Sequence, residues 1–506
     1  MFDQTNYELS YKSYNEARQT RLAWETLWQD CYDMALPQRA QNNFSGIAPS
    51  RKSESLFDGT ALDAVDGLAA SIIGHLTPNF TPWFGIKAGI ECRDDEKAFM
   101  IPALELSTKI LHTHLNRSNF IVEFHQTILD LVVAGTACLA VEEERIGAYT
   151  AFKFTAIPLN TVTLAEGDNG RLNKTYRILS LTKAAIEARY KIIELAEICP
   201  LKQARDSDVE YEILEAVEPY GNQFILRAMM LEDNQLKAPI IEKMIQHSPY
   251  INFRWMKSPS EIYGRSPVMK ALPDIKTANK VVELILKNAS IAVTGIWQAE
   301  DDGVLNPANI QLVPGAIIPK AMGSKGLTPL EMPGRFDVSE LILDDLRARI
   351  RHALMVDRLP QIDGKKMTAT EIVERSSEMN LLLGATYGRL QTELLDPLIN
   401  RLYAILRGRG EILDVPLDGR LADIEYRSPL ARAQSAAYAK DIMAFLNDVK
   451  ALGAQAIEAI DITRTVRYLA DIMGVPSDVV RDEYEIISPA KPLTDTNIIN
   501  LKGANE

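Results

Sequence analysis

The sequence predicts an α+β protein, mainly α, organised around three helices too long for one small domain. Three observations carry that reading. Apolar residues recur at steps of three and four through residues 266–293, 337–356 and 368–408, which is one face of a helix in each case. Between Phe152 and Phe253 the pattern changes to short β-type runs, broken by Gly167 to Gly170 and by Gly221-Asn222. The regular βα alternation of a doubly wound sheet is missing.

In chain order, residues 12–35 form the first predicted helix, with Leu27, Cys31 and Met34 on one face. Trp24 and Trp28, four apart beside that face, are candidate packing anchors. Residues 37–55 are polar and read as an exposed loop. A second helix, about 58–76, is rich in alanine and glycine, which permits close approach of a neighbouring backbone. It runs out at Thr77-Pro-Asn-Phe-Thr-Pro-Trp-Phe84, where Trp83 and Phe84 are the next packing anchors. Helices follow at about 94–115 and 119–133, then a buried strand at 135–142. The β-type runs 152–157, 175–179 and 211–217 surround a short helix near 182–190.

The first long helix opens at Tyr263-Gly-Arg-Ser-Pro267. Ser266 offers its hydroxyl to the free N–H groups of the first turn, and Pro267 takes the position where a missing N–H costs nothing. Ile275, Ala278, Val282, Leu286, Ala289 and Val293 form its apolar face, with Lys276, Lys280 and Lys287 opposite. Its length would be about 40 Å. Residues 295–335 are turn-rich in glycine and proline, include a candidate strand at 316–318, and are poor at making a core of their own. The second long helix, about 337–356, is acidic early and basic late, which complements its dipole. The third opens on a capping box, Thr368-Ala-Thr-Glu371. It runs roughly 58 Å, is expected to kink at Pro397, and stops at Gly408 and Gly410. Beyond come a loop at 416–420, helical stretches at 429–452 and 461–473, and a tail after Ile487 expected to fray.

With 506 residues and 46% hydrophobic content, the chain has ample core for several domains. Its net charge of -13 argues against binding nucleic acid by general attraction. Cys31, Cys92, Cys138 and Cys199 lie far apart, make no metal-ligand spacing, and read as reduced thiols in a cytosolic setting. The polar, acidic start argues against a secretory signal, and the longest apolar stretch, 129–141, is too short to span a bilayer.

The motifs of catalysis are missing. There is no Gly-x-x-x-x-Gly-Lys-Ser/Thr loop, and Met322-Gly-Ser-Lys-Gly326 has neither its spacing nor a following helix. His112 and His114, two apart on a predicted helix, point to opposite faces and cannot share a metal. The acidic clusters 142–144 and 300–302 read as solvated turns, and there is no Gly-x-Ser-x-Gly elbow. No catalytic residue, metal ligand or cofactor is therefore assigned.

Four segments carry a family resemblance. They are residues 58–71, starting Asp58-Gly-Thr-Ala and leading to Leu76-Thr-Pro and Pro82-Trp-Phe84; Tyr263-Gly-Arg-Ser-Pro267; Met367-Thr-Ala-Thr-Glu-Ile372; and Tyr426-Arg-Ser-Pro-Leu-Ala-Arg-Ala-Gln434. Each is short, but their order and spacing are specific. Together they resemble the portal, or head-to-tail connector, proteins of short-tailed bacteriophages, the podoviruses with T7-like portals. The resemblance implies a portal-protein fold assembled as a twelve-fold ring around a DNA channel at one capsid vertex. On this chain it implies a wing (1–262), a first stem helix (263–294), a clip (295–335) and a second stem helix (336–356). A tunnel loop (357–368), a long wing-spine helix (369–410), a small helical crown (411–487) and a flexible tail (488–506) complete it.

The same resemblance implies genome packaging and ejection, nucleation of head assembly, and docking of terminase and then of tail adaptor proteins. Other implied partners are double-stranded DNA, other copies of the chain, and the major capsid and scaffolding proteins, with assembly in the host cytoplasm and no membrane. Twelve copies would carry about -156, a field that repels phosphate and suits a conduit. Local cations would modulate passage: Arg358, Lys365 and Lys366 at a channel constriction, and the stripe Lys276, Lys280 and Lys287 on a channel-facing stem. Glu283 shares the stripe's face and can pair with Lys287. Two rivals are a cytosolic α+β enzyme without a recognisable motif and a helical adaptor without a channel.

Overall fold

The first helix, α1 (Gln4–Ala35), starts earlier than its local apolar periodicity predicts. Its extra turns are stabilised from afar: Tyr7 is buried, and Tyr11 partly buried, against a sheet more than 150 residues along the chain, as Tyr14 and Ala17 are further on. The computed structural model that shows this describes residues 4–39, 55–78, 81–167, 170–191, 209–294, 297–299, 327–329, 336–356, 386–427, 439, 442–451 and 460–473. The chain divides into two compact units, 1–425 and 426–506.

In the first unit α1 is followed by α2 (Thr60–Leu76), β1 (Phe84–Ala88), α3 (Asp94–Arg117) and α4 (Phe120–Ala134). Strands β2 (Thr136–Glu143) and β3 (Phe152–Ile157) come next. They join β9 (Tyr250–Arg254) in an antiparallel sheet of order β3-β2-β9. From Ile128 to Ala134 every residue of α4 is buried, because this helix packs on β2 and β3 on one side and between α1 and α2 on the other. It ends at Gly135 in the left-handed region, φ 73°, where a glycine carries no steric penalty.

The intervening chain builds a five-stranded antiparallel meander from β4 (Val162–Ala165), β5 (Lys174–Thr182), β6 (Glu210–Tyr220), β7 (Gln223–Glu232) and β8 (Gln235–Ile245). Alternation along β6 and β7 sorts its two faces. Leu214, Ala216, Met229 and Leu231 meet α1, whereas Ile213, Ala228 and Met230 meet Ile186 and Tyr190 of α5 (Lys183–Tyr190). Thr182 caps α5, accepting from the Ala185 N–H at 3.4 Å. Pro239 sits in β8, an edge strand, where its missing N–H breaks no inner ladder.

One carboxylate buried between these layers is fully paired. Glu215 of β6 accepts from the hydroxyls of Tyr190 (2.8 Å) and Tyr250 (2.7 Å) and from Arg189. Burial pushes its pKa up, but the Arg189 guanidinium and these hydroxyls overcome that and hold it below the usual carboxylate range. Burial likewise pushes the Cys31 and Cys138 thiols up to about 12. Both are buried and unpaired, as is Cys92, and Cys199 lies outside the described residues.

The chain then enters α6 (Pro267–Thr294), β10 (Trp297–Ala299), β11 (Leu327–Pro329) and α7 (Phe336–Ala353). Strands β10 and β11 pair antiparallel, Gln298 opposite Thr328. The expected strand at 316–318 and the capping box at 368–371 lie outside the described residues. Of the third predicted helix, the structure describes residues from 386 onward. The break expected at Pro397 takes the form of a π turn at Gln391–Leu395 followed by α8 (Asp396–Arg409). The Asp396 N–H reaches back to the Gln391 carbonyl, and the proline, one residue on, falls in the first turn of a fresh helix, where it is tolerated. The unit closes on β12 (Ala422–Tyr426), which pairs with β1. In the second unit, residues 442–451 and α9 (Ile462–Met473) are helical.

One buried acid gives a pH test. Asp130 of α4 accepts from the Tyr32 hydroxyl at 2.6 Å and pairs with Arg39 at 2.8 Å. Burial raises its pKa to about 6 against the pull of Arg39 and Tyr32. An acid that binds its proton more tightly when folded stabilises the fold as pH falls through that value. Asp130→Asn cannot gain the proton. The stability of the unaltered chain relative to the variant is expected to rise by about 2 kcal/mol from about pH 7 to about pH 4. Urea unfolding at each pH reads it, and a constant difference would contradict it.

Candidate functional site: the helix pair and its root

Helices α6 and α7 pack against one another, and both are anchored at one end. The root is Tyr263-Gly-Arg-Ser-Pro267. Tyr263 is fully buried, edge-on to Trp28 at 4.9 Å and 6.0 Å from Trp24. Its hydroxyl accepts from the Leu164 N–H at 3.1 Å. Burial pushes that hydroxyl's pKa up to about 12, so it stays protonated. Arg265 lies 4.8 Å over the Trp24 ring and pairs with Glu261. Trp24 and Trp28 thus join α1 to the root of α6.

Glycines set how closely the root approaches the sheet. A Cβ on Gly264 would stand 2.2 Å from the Gly135 carbonyl oxygen, and one on Gly135 would stand 2.4 Å from the Gly264 carbonyl oxygen. The Gly264 N–H donates to Thr136 Oγ1 at 2.8 Å. Ser266 caps α6 as its position predicts: its hydroxyl accepts from the Met269 N–H and donates to the Val133 carbonyl, both at 2.8 Å. One side chain therefore satisfies the start of α6 and the end of α4.

The segment before α2 holds the pair together from the side. Asn279 of α6 accepts from the N–H groups of Phe57 and Asp58 and donates to the Ser55 carbonyl. Asp58, buried, accepts from the Thr60 N–H and pairs with Arg347 of α7 at 2.8 Å. Burial pushes its pKa up, but the Thr60 and Arg347 hydrogen bonds outweigh that and hold it below the ordinary value. Asp274 of α6 pairs with Arg349 of α7 at 2.6 Å. Leu343, Leu346, Ile350 and Leu354 supply the buried side of α7 and its C-terminal turn. Further out, Leu284, Leu286, Leu341 and Ile342 are exposed.

A buried ionic cluster backs the root. Arg254, 1% exposed, bonds both carboxylate oxygens of Glu393 in the π turn and pairs with Glu166 at 2.6 Å, while Lys257 also reaches Glu166. The Arg254 N–H adds a bond to Glu393 at 3.0 Å. The last strand before the root is thereby tied to the long C-terminal helix.

The profile of a family described as "Bacteriophage head to tail connecting protein" matches residues 9–480. The chain belongs to that family. Among curated relatives of the chain, the "Probable portal protein" of Bordetella phage BPP-1 is 24% identical over 512 aligned residues, 95% of this chain and 90% of that one. The "Portal protein" of Enterobacteria phage T3 is 22% identical over 420, covering 80% and 75%. The "Portal protein" of Salmonella phage epsilon15 is 21% identical over 513, covering 96% and 90%. A chain of the solved "Virion of native gene transfer agent (GTA) particle" aligns over 84% of this chain and 92% of its own at 12% identity. Its TM-score of 0.34 is too low to carry weight.

In this chain the residues singled out from sequence fall into three groups. Trp28, Trp83 and Phe84 are buried and Trp24 is half-buried. Trp83 and Phe84 stack edge-on at 4.6 Å, and His112 beside them bonds the Phe84 carbonyl. His114 faces away and pairs with Glu411 at 2.8 Å. Lys276 pairs with Asp30 of α1 at 2.7 Å, and Lys280 and Lys287 share Glu283 at 2.9 and 2.6 Å. Arg358, Lys365 and Lys366 lie outside the described residues. No group of three or more His, Cys, Asp or Glu placed to hold a metal occurs among the described residues. No described helix is long and apolar enough to cross a membrane.

Sequence reading missed Arg254, Glu393 and the partners of Asp58, since each pair is formed by residues far apart in the chain. Asn279 left one signal, a polar side chain beside the apolar face of a long helix.

The glycine contact predicts a contrast. Gly264→Ala forces a methyl group onto backbone and should destabilise the unit by about 3 kcal/mol or more. Gly408→Ala, in exposed helix with nothing within 4 Å of the new methyl, should gain about 0.5–1 kcal/mol. Thermal unfolding of the two variants checks this, and equal effects would contradict it.

Proposed function

We propose that the chain is one subunit of a portal ring, a non-enzymatic conduit for double-stranded DNA at one capsid vertex. The carrying observation is the antiparallel pair α6/α7, clamped at its root by Tyr263, Gly264, Ser266 and Asp58 and exposing apolar side chains beyond it. Such a pair gains little as an isolated surface feature. Copies around a closed ring bury the same face in every subunit, and the pair then forms a wall. Membership of the connecting-protein family and the portal relatives support the reading.

In this reading the ring is twelve-fold, and the turn-rich segment between the helices docks the terminase large subunit during packaging and tail adaptors afterwards. The outer body meets the major capsid and scaffolding proteins. The chain performs no catalytic step, and translocation energy comes from the separate terminase. Net negative charge keeps the polymer from adhering. The stem lysines already have carboxylate partners, so they offer passing phosphates little free charge. Arg358, Lys365 and Lys366 are the proposed contacts at a constriction.

Negative-stain microscopy of the purified chain should show rings of ten to fourteen subunits with a central hole. Uniformly small particles under all conditions would sink the proposal. In assembled phage, changing Lys365→Glu and Lys366→Glu together should lower packaging or DNA retention several-fold, and unchanged values would remove their role.

A further inference from the structure

The outward faces of α6 and α7 carry matched but opposite patterns. On α6, Lys280, Leu284 and Lys287 recur at steps of four and three and so share one face. Their exposures are 61%, 48% and 63%. On α7, Glu340, Leu341 and Asp344 lie on one exposed flank, with Leu341 74% exposed. Among the described residues Glu340 and Asp344 have no ion-pair partner. Glu283 is shared by two lysines, which leaves one positive charge over on that side.

The two faces also match in height. Asp274 and Arg349 touch and mark a common level. The helices run in opposite directions from there, since β10 after α6 pairs with β11 before α7. At 1.5 Å per residue, Lys280 and Asp344 stand about 9 and 8 Å beyond that level. Leu341 and Leu284 follow at about 12 and 15 Å, with Glu340 and Lys287 at about 14 and 20 Å, within reach of a lysine side chain. A rotation about an axis along the pair preserves height, so Lys-Leu-Lys on one copy meets Glu-Leu-Asp on the next at the same level.

We propose that the occupant of this exposed face is a second copy of the chain: Lys280, Leu284 and Lys287 of one subunit seat against Glu340, Leu341 and Asp344 of its neighbour. This rests on the ring reading and deepens it, because it turns the stem lysines toward the next subunit instead of the lumen. The contact is head-to-tail and not self-complementary, the kind that closes into rings.

Charge exchange tests it in the full chain. Lys280→Glu with Lys287→Glu should lower the ring fraction by about tenfold or more, and Glu340→Lys with Asp344→Lys should do the same. Circular dichroism should show both folded. All four changes in one chain should restore rings. Leu284→Cys protein mixed with Leu341→Cys protein and a short bis-maleimide should give a cross-linked dimer that neither gives alone. Rings insensitive to either reversal, no rescue, or no mixed cross-link would overturn the pairing while leaving the ring reading intact. An unaltered chain that never forms rings would overturn both.

Discussion

Backbone meets backbone at Gly135 and Gly264, and the rest of the first unit depends on that contact. The Cβ clearances of 2.2 and 2.4 Å leave no room for any other residue at either position. Because α4 ends at Gly135 and α6 begins three residues after Gly264, the contact fixes where one helix stops and the next departs. Thr136, Ser266 and the Trp255 N–H then complete the backbone's hydrogen bonds around it. A protein that carries a long lever needs a rigid fulcrum, and paired glycines with a capped serine supply one at little cost in volume.

Buried charge has a related role. Glu215 joins the five-stranded sheet to α5 and β9, and Arg254 joins β9 to the π turn of the long helix. Such groups add little net stability, since desolvation offsets much of the attraction. Leaving one unpaired is costly, however, so each cluster disfavours arrangements in which the elements slide apart. The same logic holds Asp58 against Arg347 at the side of the helix pair. Beyond the root this restraint gives way to exposed apolar and charged side chains, the division expected of an element completed by its neighbours.

Much of the fold was legible locally. Ser266, Pro267 and Thr182 mark helix starts by chemistry that needs no tertiary context, and the strand at 152–157 follows from alternation alone. The first helix was under-read because Tyr7 and Ser10 look like surface residues until β5, β6 and β7 bring Tyr176, Leu214 and Glu218 to them. For the candidate site, the helix pair and its motif were legible but its clamps were not. Asp58 and Arg347 are 289 residues apart, and Arg254 and Glu393 are 139 apart, so no window of sequence contains either pair.

By itself the sequence determined the class, the two helices of the pair, the Ser266 cap, and through spaced motifs the connecting-protein family. Periodicity and capping are local properties, and family motifs are order and spacing along the chain. Only the tertiary structure decided which glycines touch, that Lys276 answers to Asp30 of α1, and how the break near Pro397 is accommodated. Those outcomes depend on distances between segments remote in sequence, set jointly by every layer that packs between them.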